Sequence, residues 1–246
     1  MSDIQKYQLD KELFLTFEND ISVNVVEVDD DAKLKVEVKK GHHFLFINQI
    51  NHDDIEYYDD IRIYDGAKLD LIYIGLSKGS IKQDSKLTLH QNTEVNLNSS
   101  YVATNKKDIK LYCLNQEYNS HLNMDNSCVI KSDGNFSIDA IGKIIKGAKN
   151  SSHFQKTRCL TIGNVNNAFA KPSLLIDEND VKAGHALALG TIDKEQLFYL
   201  QSRGLSYDAS IKLLYESYLK LDLNFLPDDH DREVIGNLFK KGMVNL

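Results

Sequence analysis

The 246-residue sequence has no tryptophan, only two prolines and only three cysteines. The shortage of tryptophan and proline is unusual but excludes no class of protein. Cys113, Cys128 and Cys159 form no C-x-x-C pair. An odd number of widely spaced cysteines favours a reducing compartment over a disulfide framework. We therefore expect three free thiols.

Long apolar runs are also missing, since no stretch approaches the ~20 residues that a membrane helix needs. The first residues, MSDIQKYQLDKELF, lack the charged-then-apolar layout of a signal peptide. The net charge is −7, and no stripe of lysine and arginine stands out against the acidic background. These features argue against a nucleic-acid partner. We expect a cytoplasmic protein with neither a membrane nor a nucleic acid as partner.

Several catalytic motifs are absent. The sequence contains no G-x-x-x-x-G-K-[ST] phosphate loop, so the chain is not expected to hydrolyse ATP by itself. It also has no H-E-x-x-H motif. Its composition, 42% hydrophobic and 26% charged, is that of an ordinary globular protein of one large or two smaller domains.

Up to about residue 170 the sequence is patterned as short β-strands. Leu34, Val36 and Val38 alternate with charged residues, and Phe44 to Ile47 form a continuous apolar run typical of a strand covered on both faces. Turn-forming residues such as Asp65-Gly66 and Asp133-Gly134 separate the runs. This pattern leaves a sandwich, a barrel or a parallel β-helix as the possible architectures.

The stretch from Lys171 to Gly204 marks a change of structure. Leu174 and Ile176 fit a short strand, and small residues surround His185 in a second strand, as tightly packed backbone would require. Asp193 is then expected to cap a helix over 194–203, with Gly204 in the left-handed position past its end.

Two further helices are predicted after Gly204. Ser206 can cap the first, whose apolar residues recur along one face, and Pro227 suits the first turn of the second. We therefore divide the chain into a β core over residues 1–190, with 1–60 the least certain part, and a helical subdomain over 191–246. Helix 194–203 is expected to seal the end of the β core.

The stretch 171–204 closely resembles the core segment of the SufB/SufD family, the scaffold proteins of the SUF iron–sulfur cluster assembly system. The residues that fall on the family pattern are Pro172, Leu174, Ile176, Asp180, Val181, Lys182, His185, Gly190, Ile192, Asp193, Leu197, Phe198, Tyr199, Leu200, Ser202, Arg203 and Gly204. The family's Cys-Ser before the histidine is replaced by Ala183-Gly184, so no role of that cysteine carries over.

The resemblance implies an all-β core built as a right-handed parallel β-helix, followed by a small α-helical cap. It also implies a non-catalytic scaffold subunit that pairs with a SufB-like subunit and a SufC-like ATPase. Closure of the ATPase would then move the two β-helices and open a site for the nascent cluster. No cofactor is expected to be bound permanently, although a transient iron–sulfur cluster could form at a subunit interface.

His185 is the candidate for that interface or for cluster assembly, and it is the one metal ligand that we favour, because a neutral imidazole can bind iron and move protons. For the ATPase, the resemblance points to the C-terminal helices. The apolar residues that we select there as docking candidates are Leu214, Tyr215, Tyr218 and Phe239. Truncation after Gly204 is accordingly expected to leave a soluble β-rich protein that no longer binds the ATPase.

Two alternatives remain open at this point. The protein could pair with itself as a homodimer, although the segment 164–170 lacks the cysteine of SufB-type relatives and so favours the SufD type. It could instead be a carbohydrate-active β-helix enzyme, with acids such as Asp59, Asp60 and Asp65. The remaining candidates have a structural interpretation: the cysteines as core residues, with Cys128 the most exposed, and the histidines and acids between His42 and Glu56 as a solvated turn.

Overall fold

The computed structural model describes residues 4–18, 21–49, 54–219, 226 and 228–244. These residues form strands and then helices. The strands are β1 Gln5–Leu9, β2 Glu12–Phe17, β3 Ile21–Val28, β4 Ala32–Val38, β5 His42–Gln49, β6 Ile55–Ile63, β7 Lys68–Gly75, β8 Ile81–Leu89, β9 Glu94–Ala103, β10 Lys106–Asn115, β11 His121–Ile130, β12 Asn135–Ile144, β13 Ser151–Thr161, β14 Asn167–Ile176 and β15 Val181–Thr191. The helices are α1 Lys194–Ser202, α2 Tyr207–Tyr218 and α3 Asp229–Val244. His52 and Pro227 lie outside the described residues.

The strands alternate between two parallel sheets. Odd-numbered strands form one sheet in the order β1-β3-β5-β7-β9-β11-β13-β15, and even-numbered strands form the other in the order β2-β4-β6-β8-β10-β12-β14. Each pair of successive strands is therefore one coil of the chain. The result is the predicted parallel β-helix type of fold, and the described N-terminal residues belong to the same coils. Right-handed winding is the sense that parallel strand connections adopt.

The coils differ in length, which explains why the sequence shows no fixed repeat. Gln5 lies opposite Asn24, whereas His121 lies opposite Ser152. Most of the extra residues lengthen the strands, from five in β1 and six in β2 to ten each in β11 and β12. The remainder lie at the corners, where asparagine side chains stack. Asn119 donates to Asn92 over 2.9 Å and Asn150 donates to Asn119 over 2.9 Å. All three have positive φ, which asparagine tolerates better than most residues.

The space between the two sheets, here called the lumen, holds the main core. Side chains alternate across each strand, so every second residue points into it. Leu45, Leu71 and Leu97 occupy adjacent positions in successive strands of one sheet and are fully buried. Similar stacks fill the lumen along its length, so each coil is held by apolar contact with the coils on either side.

A second apolar cluster joins the helices to the outer face of the odd-strand sheet. Tyr215, Leu219 and Ile235 are buried in it. Their partners on the sheet come from six strands and are Val23, Val25, Phe44, Phe46, Ile72, Ile74, Leu76, Val102, Val129 and Leu160. The helices therefore lie along the flank of the coil. Helix α1 has no buried residue, so the expectation that it seals the end of the coil is wrong.

The helix boundaries follow the predicted caps. The Asp193 carboxylate accepts from the Glu195 N–H over 2.8 Å, and Ser206 Oγ accepts from the Ala209 N–H over 3.2 Å. Gly204 has φ +95°, the left-handed conformation expected after α1. The turn to helical structure thus begins after Thr191, close to the predicted boundary at residue 190.

Burial of the helices on the sheet leads to a stability prediction. Replacing the fully buried Leu219 by alanine should lower the free energy of unfolding by about 2–5 kcal/mol, since it removes core contacts and leaves a cavity. The control is Leu213→Ala on the same helix, where leucine is 47% exposed and the change should stay within about 0.5 kcal/mol. Urea denaturation followed by circular dichroism measures both, and equal losses would contradict this packing.

The same packing changes what truncation is expected to do. Ending the chain after Gly204 would expose the apolar outer face of six strands. Such a face promotes aggregation. The sequence-based expectation of a soluble, β-rich fragment is therefore replaced by that of an aggregating one.

One carboxyl group lies inside the lumen. Asp59 is 5% exposed, and its Oδ2 accepts hydrogen bonds from Tyr73 and from Ser85, each over 2.8 Å. Burial raises the pKa of Asp59 to about 7, and the hydrogen bonds act in the opposite direction. Folding therefore favours the protonated acid.

Stability should consequently fall as pH rises from about 4 to about 7. The Asp59 contribution is fully present below the unfolded pKa near 4 and is lost progressively up to the folded pKa, a difference of up to about 4 kcal/mol. Asp59→Asn should flatten the pH dependence between about pH 4 and pH 7, whereas Asp60→Asn, at the neighbouring partly exposed acid, should not. Buried histidines change stability with pH in the opposite direction, but they do so equally in all three proteins. The difference in urea midpoint between wild type and each variant therefore isolates the contribution of Asp59. Parallel pH curves for wild type and Asp59→Asn would contradict the assignment.

Candidate functional site

The last coil, formed by β14 and β15, ends both sheets. In the described structure β15 pairs with β13 and β14 pairs with β12, and no strand lies beyond either. Each therefore presents a row of backbone N–H and C=O groups on its outer edge. Such an edge is a template on which another strand can pair.

Apolar side chains on the luminal side of this last coil are exposed. Leu187 and Leu189 lie opposite Thr157 and Cys159, which point into the lumen and are buried, yet the two leucines are 47% and 52% exposed. On β14, Ile176 lies opposite the buried Ile144 and is 38% exposed. We call Ile176, His185, Leu187 and Leu189 the terminal patch. It is a stretch of lumen core that no further coil covers.

His185 is in the middle of β15 and belongs to this patch. It lies opposite Gln155, whose buried side chain donates from Nε2 to the Ser173 carbonyl oxygen over 2.9 Å. Strand alternation places His185 on the same luminal side, and the residue is exposed. An exposed imidazole on an uncovered coil is placed to contact whatever covers that coil.

The expectation of tightly packed backbone around His185 is wrong. A Cβ added at Gly184 would meet only the Phe154 ring, at an ordinary 3.5 Å, and one added at Gly190 would meet nothing. Since β15 is an edge strand, its neighbours on one side are absent. Its small residues make the outer face flat and leave it open.

A groove of about 670 Å³ runs beside β15 across the outer face of the odd-strand sheet. Its floor contains a ladder in which Asn123 donates to Asn96 over 3.3 Å, Asn96 donates to Asp70 over 3.0 Å, and the His42 ring lies 2.5 Å from Asp70. Sequence reasoning missed this ladder. Its signal was the recurrence of Asp70, Asn96 and Asn123 at nearly constant spacing, which has meaning only once the coil length is known.

A buried histidine lies one coil before His185. His153 Nδ1 is 2.8 Å from Asn115 Oδ1, and because Asn115 donates its own amide to Ser120, the histidine nitrogen is the donor. Burial lowers the pKa of His153 to about 4, so the ring is neutral near pH 7. A Cβ at Gly142 would lie 2.4 Å from its Nε2, so glycine is required opposite the ring.

The three cysteines are free and buried, as the structural interpretation predicts. Cys128 was expected to be the most exposed, but it is 1% exposed because strand β11 continues past it and turns its side chain into the lumen. Burial raises the pKa of Cys113. A protonated, enclosed thiol behaves as a small core residue.

The residues considered for a metal or for sugar chemistry are dispersed. His42 pairs with Asp70, and His43 is buried between Ser22 and the Lys40 carbonyl. No group of three or more histidine, cysteine or acidic residues suited to a metal occurs among the described residues.

The acids proposed for a carbohydrate enzyme are similarly unavailable as a pair. Asp59 is enclosed in the lumen, Asp60 is bound to Arg62 at 3.0 Å, and Asp65 accepts from Gln91 and Asn92 at a corner. Hydrolysis by paired carboxylates needs both acids at one open cleft. Asp59 and Asp60 both border a groove of about 640 Å³ on the even-strand sheet. They are consecutive residues of β6, however, so their side chains point to opposite faces and do not form a pair.

The four helix candidates divide into two sets. Tyr215 is 6% exposed, and Tyr218 and Phe239 pack partly buried against the same cluster, so these side chains face the sheet and are not free for a partner. The reason is that the apolar stripe of α2 is the face that binds the outer surface of the β core. Leu214 instead lines a groove of about 590 Å³ between α1 and α2, beside Tyr199 and Leu213.

Of the helices in the described part of the chain, none combines the length and the apolar character required to span a bilayer.

Comparison with known proteins shows which family the sequence resembles. A family model described as "SUF system FeS cluster assembly, SufBD core domain" matches residues 21–218. The chain is 38% identical over 99 residues to the iron–sulfur cluster assembly protein SufD of Bacillus subtilis, which is 40% of this chain and 23% of that protein. It is 42% identical over 57 residues to SufD of Escherichia coli, covering 23% of this chain and 14% of that protein. A SufBD family protein of Mycobacterium bovis is 28% identical over 116 residues, 47% of this chain and 14% of that protein. The matches thus span less than a quarter of the length of these relatives, but the family match spans most of this chain, which belongs to the SufBD core family of the SUF iron–sulfur cluster assembly system.

Proposed function

We propose that this chain is a SufD-type, non-catalytic scaffold subunit of an iron–sulfur cluster assembly complex, and that its last coil is the surface that pairs with a SufB-like subunit. The observation that carries the proposal is the terminal patch, where lumen side chains around His185 are exposed between two free strand edges. Leaving such a surface in water is unfavourable. A second β-helix of the same family can cover the patch and continue both sheets.

The SufB-like subunit is preferred over a second copy of this chain because of the residues beside His185. A nascent cluster is held by thiolates. This chain has alanine at position 183 and no cysteine in the segment 164–170, so its side of the interface supplies no thiol from either place. The partner is expected to supply it, while His185 provides an imidazole that binds iron or moves a proton. The cluster is the cargo of this interface.

Two substitutions in β15 separate pairing from cluster assembly. Leu189→Glu places a charge in the terminal patch and should weaken binding to the SufB-like subunit by at least tenfold, measured by calorimetry. His185→Ala removes only the imidazole and should retain pairing while supporting little cluster assembly, measured by the absorbance of the bound cluster under anaerobic conditions. The control is Tyr118→Ala, a 49% exposed aromatic residue at a corner of the coil.

Wild-type pairing by Leu189→Glu would show that the interface lies elsewhere. Wild-type cluster assembly by His185→Ala would return His185 to a purely structural role. Light scattering of the chain alone tests the homodimer alternative. A stable dimer that Leu189→Glu disrupts would support that alternative.

The second contact of the proposal is with a SufC-like ATPase at the groove between α1 and α2. This groove is on the side of the helices that faces away from the sheet. Tyr199 and Leu213 line it and are 56% and 47% exposed. Aromatic residues of this kind dominate binding at protein interfaces.

Movement of the helices has a direct route to the sheet. Arg158 on β13 donates from Nη2 to Asp125 Oδ1 at 3.3 Å and to Ser127 Oγ at 3.1 Å, while its guanidinium lies 5.6 Å from the centre of the Tyr218 ring on α2. β13 is the direct neighbour of β15. A displacement of α2 by an attached ATPase would therefore act on the strand next to His185.

The groove predicts a division of effects between two tyrosines. Tyr199→Ala should lower affinity for the ATPase subunit by about 2 kcal/mol, roughly 30-fold, without loss of stability. Tyr215→Ala should chiefly lower the unfolding temperature, because Tyr215 packs on the sheet. Calorimetric titration and thermal unfolding of both variants test this, and unchanged ATPase affinity in Tyr199→Ala would place the docking surface elsewhere.

A further inference from the structure

Two cysteines lie side by side inside the lumen. Cys128 on β11 and Cys159 on β13 are direct partners in the parallel ladder, and both are 1% exposed. Neighbouring strands run about 4.8 Å apart. This separation of α-carbons is within the range that a disulfide spans, and both side chains point to the same side.

The two sulfurs are chemically coupled. The Cys128 thiol donates to the Cys159 sulfur, which lowers the pKa of Cys159, while burial raises the pKa of Cys128 well above its ordinary value. A thiolate stabilised by a neighbouring thiol is the usual nucleophile of a dithiol pair. Cys159 is therefore the reactive member and Cys128 the resolving one.

The pair is close to the open end of the coil. Cys159 lies opposite Leu189, which is 52% exposed on the edge strand β15. Edge strands with few neighbours open more readily than central ones. Opening of this one strand would admit a small oxidant to Cys159 while the rest of the lumen remains closed.

We propose that Cys128 and Cys159 form a reversible redox pair that is oxidised by a peroxide. The Cys159 thiolate attacks one peroxide oxygen, the O–O bond breaks, and a sulfenic acid and one water form. The Cys128 sulfur then attacks the Cys159 sulfur, an S–S bond forms, and the second water leaves. Two thiols and one hydrogen peroxide thus give one disulfide and two waters, with each sulfur losing one electron. The proposal is independent of the partners proposed above.

Cys113 provides a matched control within the same chain. It is also buried in the lumen, but its partners in the ladder are Leu87 and Gly142, so no second thiol lies opposite it. It lies on the even-strand sheet. Peroxide should leave it as a thiol under conditions that oxidise the pair.

The test uses the full chain treated with a modest excess of hydrogen peroxide, then alkylated in denaturant and mapped by mass spectrometry. We expect the intact protein to lose two hydrogens, Cys113 to remain alkylated, and a peptide linked through Cys128 and Cys159 to appear. Dithiothreitol should restore all three alkylations. Cys128→Ser and Cys159→Ser should each abolish the linked peptide, whereas Cys113→Ser should retain it. The proposal would be overturned if Cys128 and Cys159 were oxidised no faster than Cys113, or if a disulfide formed only between chains. Both outcomes can be measured on the wild-type chain without any variant.

Discussion

Every strand of this protein depends on a parallel neighbour in the next coil. In a stack of this kind the backbone groups of one strand are satisfied by the strands before and after it, and each lumen side chain is covered by its equivalents one coil away. The requirement is met at every interior strand and fails at the first and last coils, where, in the described part of the chain, β1, β2, β14 and β15 each have a neighbour on one side only. β15 has lumen residues on its surface and an unpaired edge because no coil follows it. The candidate site is therefore a direct result of where the stack stops.

Local chemistry was predictable from the sequence where it depends on nearby residues. The caps at Asp193 and Ser206, the left-handed Gly204 and the alternation of apolar residues along the strands are all set by neighbours within a few positions. His185 was identified through a continuous run of family residues. Its exposed position in the stack could not be read from that run, because exposure depends on the absence of a following coil.

Features that join segments far apart in the sequence could not be predicted from the sequence. The stripe on α2 predicts that Tyr215 will be buried, but does not say against what, so the same stripe was taken for a docking surface. Cys128 and Cys159 become neighbours only through the pairing of β11 with β13. The ladder of Asp70, Asn96 and Asn123 likewise requires the coil length, which varies along the chain and leaves no repeat to detect. In each case the missing information was the register between coils.

The attachment of the helices along the flank has a mechanical consequence. Residues from β3, β5, β7, β9, β11 and β13 share one apolar cluster with α2 and α3. A force applied to the helices is thus divided among six strands and loads their hydrogen bonds together in shear. The same force applied at β15 would act on a single edge strand, whose hydrogen bonds to β13 would break one after another. The helices on the side of the coil should therefore resist a pulling force better than the edge strand β15 at its end.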